Sequence, residues 1–131
     1  MDPQEIAEIA RKHGIRLLLQ FGSSVTGRLH AQSDVDFAVL LERVPDTLTA
    51  EADLAADLQA LVPGQEADVT LINRADPLLL KQITDHARLV YGTPREFDAF
   101  KLYAFKRYQD HRRYLKLERE YVERELERMT R

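Results

Sequence analysis

Phe21-Gly22-Ser23-Ser24-Val25-Thr26-Gly27 and, after five intervening residues, Ser33-Asp34-Val35-Asp36-Phe37 link two apolar runs, Ile15 to Phe21 and Val35 to Leu41. Each run is short, rich in Leu, Val and Phe, and bounded by turn residues, which predicts a pair of buried strands. Asp34 and Asp36 stand two apart at the head of the second strand. The period-two geometry of a strand sends both carboxylates to one face. Like charges held together repel, and a cation or a proton between them relieves the repulsion. Hard divalent cations such as Mg²⁺ prefer carboxylate oxygen together with substrate phosphate.

Upstream, Gly22 allows a sharp turn after the first strand. Ser23 then offers a hydroxyl and a backbone N–H at an expected helix start, reaching to about Gly27, where phosphate oxygens bind. Gly27 permits a close approach to ligand, with Arg28 directly behind it. A third acid is expected on a neighbouring strand. Asp68 heads the apolar run Asp68-Val69-Thr70-Leu71-Ile72, and Glu66 is the reserve, two residues earlier. Three acids could hold two cations, which stabilise the attacking and leaving oxygens of an in-line displacement at phosphorus.

The surroundings limit the alternatives. The 131 residues suit one domain, spanning 1–131. With no cysteine, a disulfide scaffold, thiolate-bound zinc, iron–sulfur clusters and thiol catalysis are excluded. No signal-peptide pattern follows Met1, and no apolar run approaches a membrane span, so a cytoplasmic soluble protein is the expectation. Charge is uneven: residues 101–131 carry ten Lys/Arg against six Asp/Glu, although the whole chain is at -3. That segment is either a solvated helix face or a surface for an anionic partner. The four histidines show no ligand spacing. His30 lies between the Gly and Asp motifs and is a candidate substrate contact.

Further elements follow from caps and periodicity. Asp2-Pro3-Gln4-Glu5 starts a helix that Gly14 stops. Leu54, Leu58 and Leu61 share a face of a helix over 50–61, ended by Pro63-Gly64. Asp76-Pro77 opens a helix to about His86, and Arg88 to Tyr91 is a short fourth strand. Thr93-Pro94-Arg95-Glu96 reads as a capping box for one long helix. An apolar stripe of Phe97, Phe100, Ala104, Tyr108, His111, Leu115, Val122 and Met129 runs along it, widened by Tyr103, Tyr114, Leu117 and Tyr121. Such a helix extends roughly 50 Å, more than a small domain, so part of it should project, bend or pack on another chain. The expected class is α/β (α+β), a small mixed sheet flanked by helices, with a core over 3–92 and a C-terminal helix over 94–130.

Gly22-Ser23, Gly27, Asp34-Val35-Asp36 and one Asp on a following strand together resemble the signature of the DNA polymerase beta-like nucleotidyltransferases. In its small size the chain looks like the minimal nucleotidyltransferases (MNT), the antitoxin half of HEPN–MNT toxin–antitoxin pairs. The resemblance implies a nucleotidyltransferase fold, two Mg²⁺ ions, ATP as substrate, and transfer of AMP to a hydroxyl with release of pyrophosphate. It assigns the triphosphate to Gly22 and Ser23, both metals to Asp34 and Asp36, and the catalytic metal and the acceptor's proton to Asp68. The implied acceptor is a tyrosine hydroxyl on a HEPN ribonuclease toxin, a hetero-oligomeric partner. Many members carry arginine directly after Gly-Ser, where this chain has Ser24. Residues 107–114, Arg-Tyr-Gln-Asp-His-Arg-Arg-Tyr, resemble the HEPN ribonuclease motif, but that motif belongs to an all-helical domain which one helix cannot supply. Two competing readings remain: a small-molecule nucleotidyltransferase of the aminoglycoside-modifying kind, for which little chain is left to hold the drug, and a non-catalytic module that masks a toxin by binding alone.

Overall fold

A computed structural model describes residues 1–22 and 34–130. In chain order the elements are α1 (Pro3–His13), β1 (Ile15–Phe21), β2 (Val35–Leu41), α2 (Leu48–Ala60), β3 (Ala67–Leu71), a single 3-10 turn (Ile72–Arg74), α3 (Pro77–Asp85), β4 (Arg88–Tyr91) and α4 (Pro94–Met129). The four strands form one mixed sheet in the order β3-β2-β1-β4. β1 pairs antiparallel with both β2 and β4, while β2 and β3 run parallel across the α2 crossover.

Helix ends fall where side chains supply the missing hydrogen bonds. Asp2 accepts from the Gln4 N–H at 2.9 Å, and Asp76 from the Leu79 N–H at 2.8 Å. Gly14 ends α1 in the left-handed region at φ 67, with its N–H donating to the Ala10 carbonyl. α2 begins at Leu48 rather than at 50, because Thr47 caps it by accepting from the Ala50 N–H at 3.1 Å. The box at Thr93 is half closed. Thr93 accepts from the Glu96 N–H at 3.1 Å, but the Glu96 carboxylate turns instead to Arg16 at 3.2 Å, joining α4 to β1.

Both faces of the sheet are covered, which is why β1 and β2 read as nearly continuous apolar runs. On one face Leu18, Phe37 and Val39 pack with Ile6 and Ala10 of α1 and Leu54 and Leu58 of α2. On the other, Leu17, Leu19 and Ala38 pack with Leu80 and Ile83 of α3 and Phe100 and Ala104 of α4. Asn73 closes the end of β2: its side-chain amide donates to the Leu41 carbonyl at 2.9 Å and accepts from the Leu41 N–H at 3.0 Å. α4 is one 36-residue helix whose buried residues, Phe100 and Ala104, lie in its first third. Leu115, Leu117, Tyr121, Val122 and Met129 are exposed, so the outer part of this helix has no cover from the described residues of its own chain.

α1 and α2 are also tied by charge. Asp57 accepts from the Lys12 ammonium at 2.9 Å and lies 2.7 Å from His13 Nε2, while Asp53 is 3.3 Å from the same ammonium. Hydrogen bonding from His13, then from Lys12, holds the Asp57 carboxyl below its usual value of 3.8.

Two outcomes follow from this packing. Leu58→Ala, at a fully buried position, is expected to cost about 2–5 kcal/mol in denaturant titration, whereas Leu117→Ala should stay within about 0.5 kcal/mol in the isolated chain. Because the folded Asp57 is depressed, its stabilisation is present above about pH 4 and is lost as pH falls through the folded value. Asp57→Asn should therefore flatten the acid limb of a stability–pH curve, and an unchanged limb would remove Asp57 from the account.

Candidate active site

The parallel register of β2 and β3 places Asp36 directly beside Asp68. Residues paired across a parallel ladder point to the same face, so both carboxylates lie on the side that carries α3 and α4. Asp34 precedes β2 by one residue and is exposed, as is Asp68, while Asp36 is half-buried. Burial, then the charge of Asp68, then that of Asp34 push the Asp36 carboxyl above its usual range. The three acids thus share one electrostatic field, and among the described residues no basic group opposes it at Asp36.

β1 brings the glycine turn to the same place. Phe21 pairs with Asp36 across the antiparallel ladder, so Gly22 follows immediately beside that carboxylate. Gly22 has φ +76, and a Cβ built on it would lie 2.6 Å from Asp36 Oδ2. Glycine is required here twice over, by the left-handed backbone and by the contact with the acid. Three of the expected site residues, Gly22, Asp36 and Asp68, are therefore neighbours on three adjacent strands, with Asp34 at the edge of the group. Ser23, Gly27, Arg28 and His30, and the helix expected after Gly22, lie outside the described residues. Glu66 is exposed and precedes β3, so the strand does not extend far enough to align it with Asp68; its backbone carbonyl accepts from the Val35 N–H at 2.8 Å and anchors the start of the β2–β3 pair.

The donor set suits a hard cation. Mg²⁺ is commonly held by one or two carboxylates, with waters and substrate phosphates completing its shell, and Asp36 beside Asp68 offers that pair. Among the described residues, a tighter group of ligand atoms, within 4.8 Å of one another, is His13, Asp53 and Asp57. There the Lys12 ammonium already supplies the positive charge, and the group ties α1 to α2 away from the Gly22 turn. A surface cavity of about 530 Å³, lined by Ile15, Arg16, Glu42, Tyr91, Thr93 and Glu96, opens at the opposite end of β1 from Gly22. Neither feature is part of the carboxylate site.

Gly22→Ala is expected to destabilise the fold by about 1–3 kcal/mol and to turn the Asp36 carboxylate aside. A thermal melt matching that of the unaltered chain would show that the turn tolerates a side chain.

The comparisons with known proteins bear on the family and the fold. Residues 4–96 match the family described as polymerase beta, nucleotidyltransferase. Protein adenylyltransferase MntA of Shewanella oneidensis is 30% identical over 97 residues, 72% of this chain and 67% of that protein. A crystal structure of a toxin–antitoxin with AMP-PNP superposes with a TM-score of 0.72 at 24% identity, covering 96% of this chain and 98% of that one. A complex of tri-AMPylated Shewanella oneidensis HEPN toxin with MNT antitoxin gives a TM-score of 0.65 at 22% identity, over 95% of this chain and 94% of that one. Those superpositions, at identities below a quarter, speak for the fold, including the long final helix. No helix among the described residues is long and apolar enough to cross a membrane. With the glycine turn, the paired acids and the matched 4–96 segment together, the chain belongs to the polymerase beta nucleotidyltransferase family.

Proposed function

We propose that this chain is a Mg²⁺-dependent protein adenylyltransferase that moves AMP from ATP to a tyrosine hydroxyl of a HEPN-domain ribonuclease toxin and so neutralises it. The observation that carries this reading is the placement of Asp36 against both Asp68 and the Gly22 turn. A pure binding module has no use for a half-buried acid kept among like charges; a site that must recruit cations and a polyphosphate does. A relative 30% identical in sequence is a protein adenylyltransferase, and a structural relative is complexed with an AMPylated HEPN toxin, the product such a reaction yields.

In this reading Asp34, Asp36 and Asp68 hold two Mg²⁺ ions, which when bound neutralise the triphosphate and the charge developing on the departing pyrophosphate. Gly22 keeps side-chain bulk away from the triphosphate, and the Ser23 hydroxyl and N–H bind its oxygens, with Gly27 and Arg28 further along the sequence. Asp68 takes the proton of the acceptor hydroxyl. The tyrosine oxygen then bonds to the α-phosphorus as the bond from that phosphorus to the pyrophosphate oxygen breaks. Toxin with AMP esterified to a tyrosine and free pyrophosphate leave.

Intact-mass spectrometry of a co-expressed candidate HEPN partner with ATP and Mg²⁺ tests the proposal. The expected result is a gain of one or more AMP groups, reduced by roughly 100-fold or more in rate with Asp36→Asn while the thermal melt is retained. A stable, neutralised complex with no mass gain would replace the enzyme by a masking module. AMP transfer to a small hydroxylated molecule, but not to the protein, would favour the small-molecule enzyme.

A further inference from the structure

The last residue of α1 and two residues of α2 bring nitrogen and oxygen metal ligands together outside the carboxylate site. His13 Nε2, one oxygen of Asp53 and one of Asp57 lie within 4.8 Å of one another. Packing sets this convergence. Asp53 and Asp57 are four apart on α2, so they rise from one face of that helix. Beside them Leu54 and Leu58 are fully buried and fix how α2 lies on the sheet. Ile6 and Ala10 fix α1 against the same core, and Gly14 ends it directly after His13. The His13 side chain is only 11% exposed, so its ring has little freedom to turn away.

In the structure the two carboxylates already gather a cation. The Lys12 ammonium lies 2.9 Å from Asp57 and 3.3 Å from Asp53. That lysine is 54% exposed. An ion pair so open to water holds weakly, and the flexible stem can carry the ammonium into solvent without moving either helix. His13 adds what the lysine does not use, a ring nitrogen 2.7 Å from Asp57 Oδ2.

The donor set selects the ion. Zn²⁺ takes histidine nitrogen and aspartate oxygen at about 2.0–2.2 Å, and three such ligands leave a fourth position for water. Ligand atoms around that centre stand roughly 3.3 Å apart, so His13 and Asp57 need open by only about half an ångström. Mg²⁺ is bound through oxygen and gains nothing from the imidazole. The place also favours a cation, because the unpaired carbonyls at the end of α1 carry partial negative charge.

We infer that His13, Asp53 and Asp57 form a second metal site, for Zn²⁺ or a similar transition-metal ion, separate from the acids beside Gly22. On binding, the ion takes the lone pair of His13 Nε2 and one oxygen from each aspartate. The ring then carries its proton on Nδ1, water fills the fourth position, and the Lys12 ammonium moves out to solvent. The ion cross-links α1 and α2 over the core face they share, and its binding adds to the stability of the fold. None of this depends on the transfer reaction proposed above.

The probe is Zn²⁺ itself, titrated into the full chain by calorimetry and followed by thermal melting. The same titrations on Asp36→Asn/Asp68→Asn remove the contribution of the other acids. Saturating Zn²⁺ should raise the melting temperature by at least about 4 °C in both chains, and Mg²⁺ at the same concentration should leave the double variant unchanged. Asp53→Asn, at an exposed position, and His13→Gln should each weaken Zn²⁺ binding at least about tenfold, the lower bound for losing even an outer-shell partner. Lys12→Ala removes the competing ammonium and should tighten binding roughly twofold to fivefold, a gain that a purely structural ion pair does not give. Undiminished Zn²⁺ binding in both His13→Gln and Asp53→Asn would overturn the inference. So would loss of the Zn²⁺ effect in Asp36→Asn/Asp68→Asn, which would put the ion at the other acids, or no binding by the unaltered chain.

Discussion

Asp36 is held half-buried with Asp68 beside it across the parallel ladder and Asp34 two residues before it, so three negative charges share one end of the sheet. That arrangement is unfavourable for the isolated chain, as the raised carboxyl of Asp36 records. It persists because β2 cannot shift. A one-residue slip would turn Phe37 and Val39, both fully buried, to the wrong face and leave the α1–α2 core open. The apolar alternation of β2 therefore fixes the place of its acids, and electrostatic strain at the strand head is offset by burial along its length.

The same logic places the glycine. β1 is locked by Leu17, Leu18 and Leu19, all buried, and its last pair sets Phe21 opposite Asp36. The chain must then turn away within one residue beside a carboxylate, which only a residue without a side chain does at φ +76. Sheet packing, backbone sterics and the electrostatics of the acids are thus one constraint seen from three sides. Far from them, surface ion pairs of Arg16 with Glu96 and Lys12 with Asp57 join α4 to β1 and α1 to α2.

α4 shows how one amphipathic pattern serves two purposes. Its spacing of apolar residues is the same before and after Ala104, yet the first part completes a core and the second does not. The difference lies in α3, which runs alongside only the first part. Periodicity in sequence reports that a face seeks cover; it carries no information about whether the cover comes from the same chain.

The strands were legible because runs such as Ile15–Phe21 and Val35–Leu41 are buried on both faces and have glycine, serine or proline nearby. The caps at Asp2, Asp76 and Thr93 were legible because a short polar side chain before a helix has one local task. Thr47 and Asn73 escaped notice, since a threonine cap two residues earlier and an amide that seals β2 depend on where the backbone has already gone. The turn of Glu96 from its own helix cap to Arg16 is of the same kind, a contact eighty residues apart in sequence. The sequence by itself determined the candidate acids, the glycine turn and the order of elements, because each rests on residue chemistry within a few positions. Only the tertiary structure decided that Asp36 faces Asp68, that Glu66 stands apart, and where α4 leaves the body, because strand register and the end of a neighbouring helix are set by packing between segments distant in the chain.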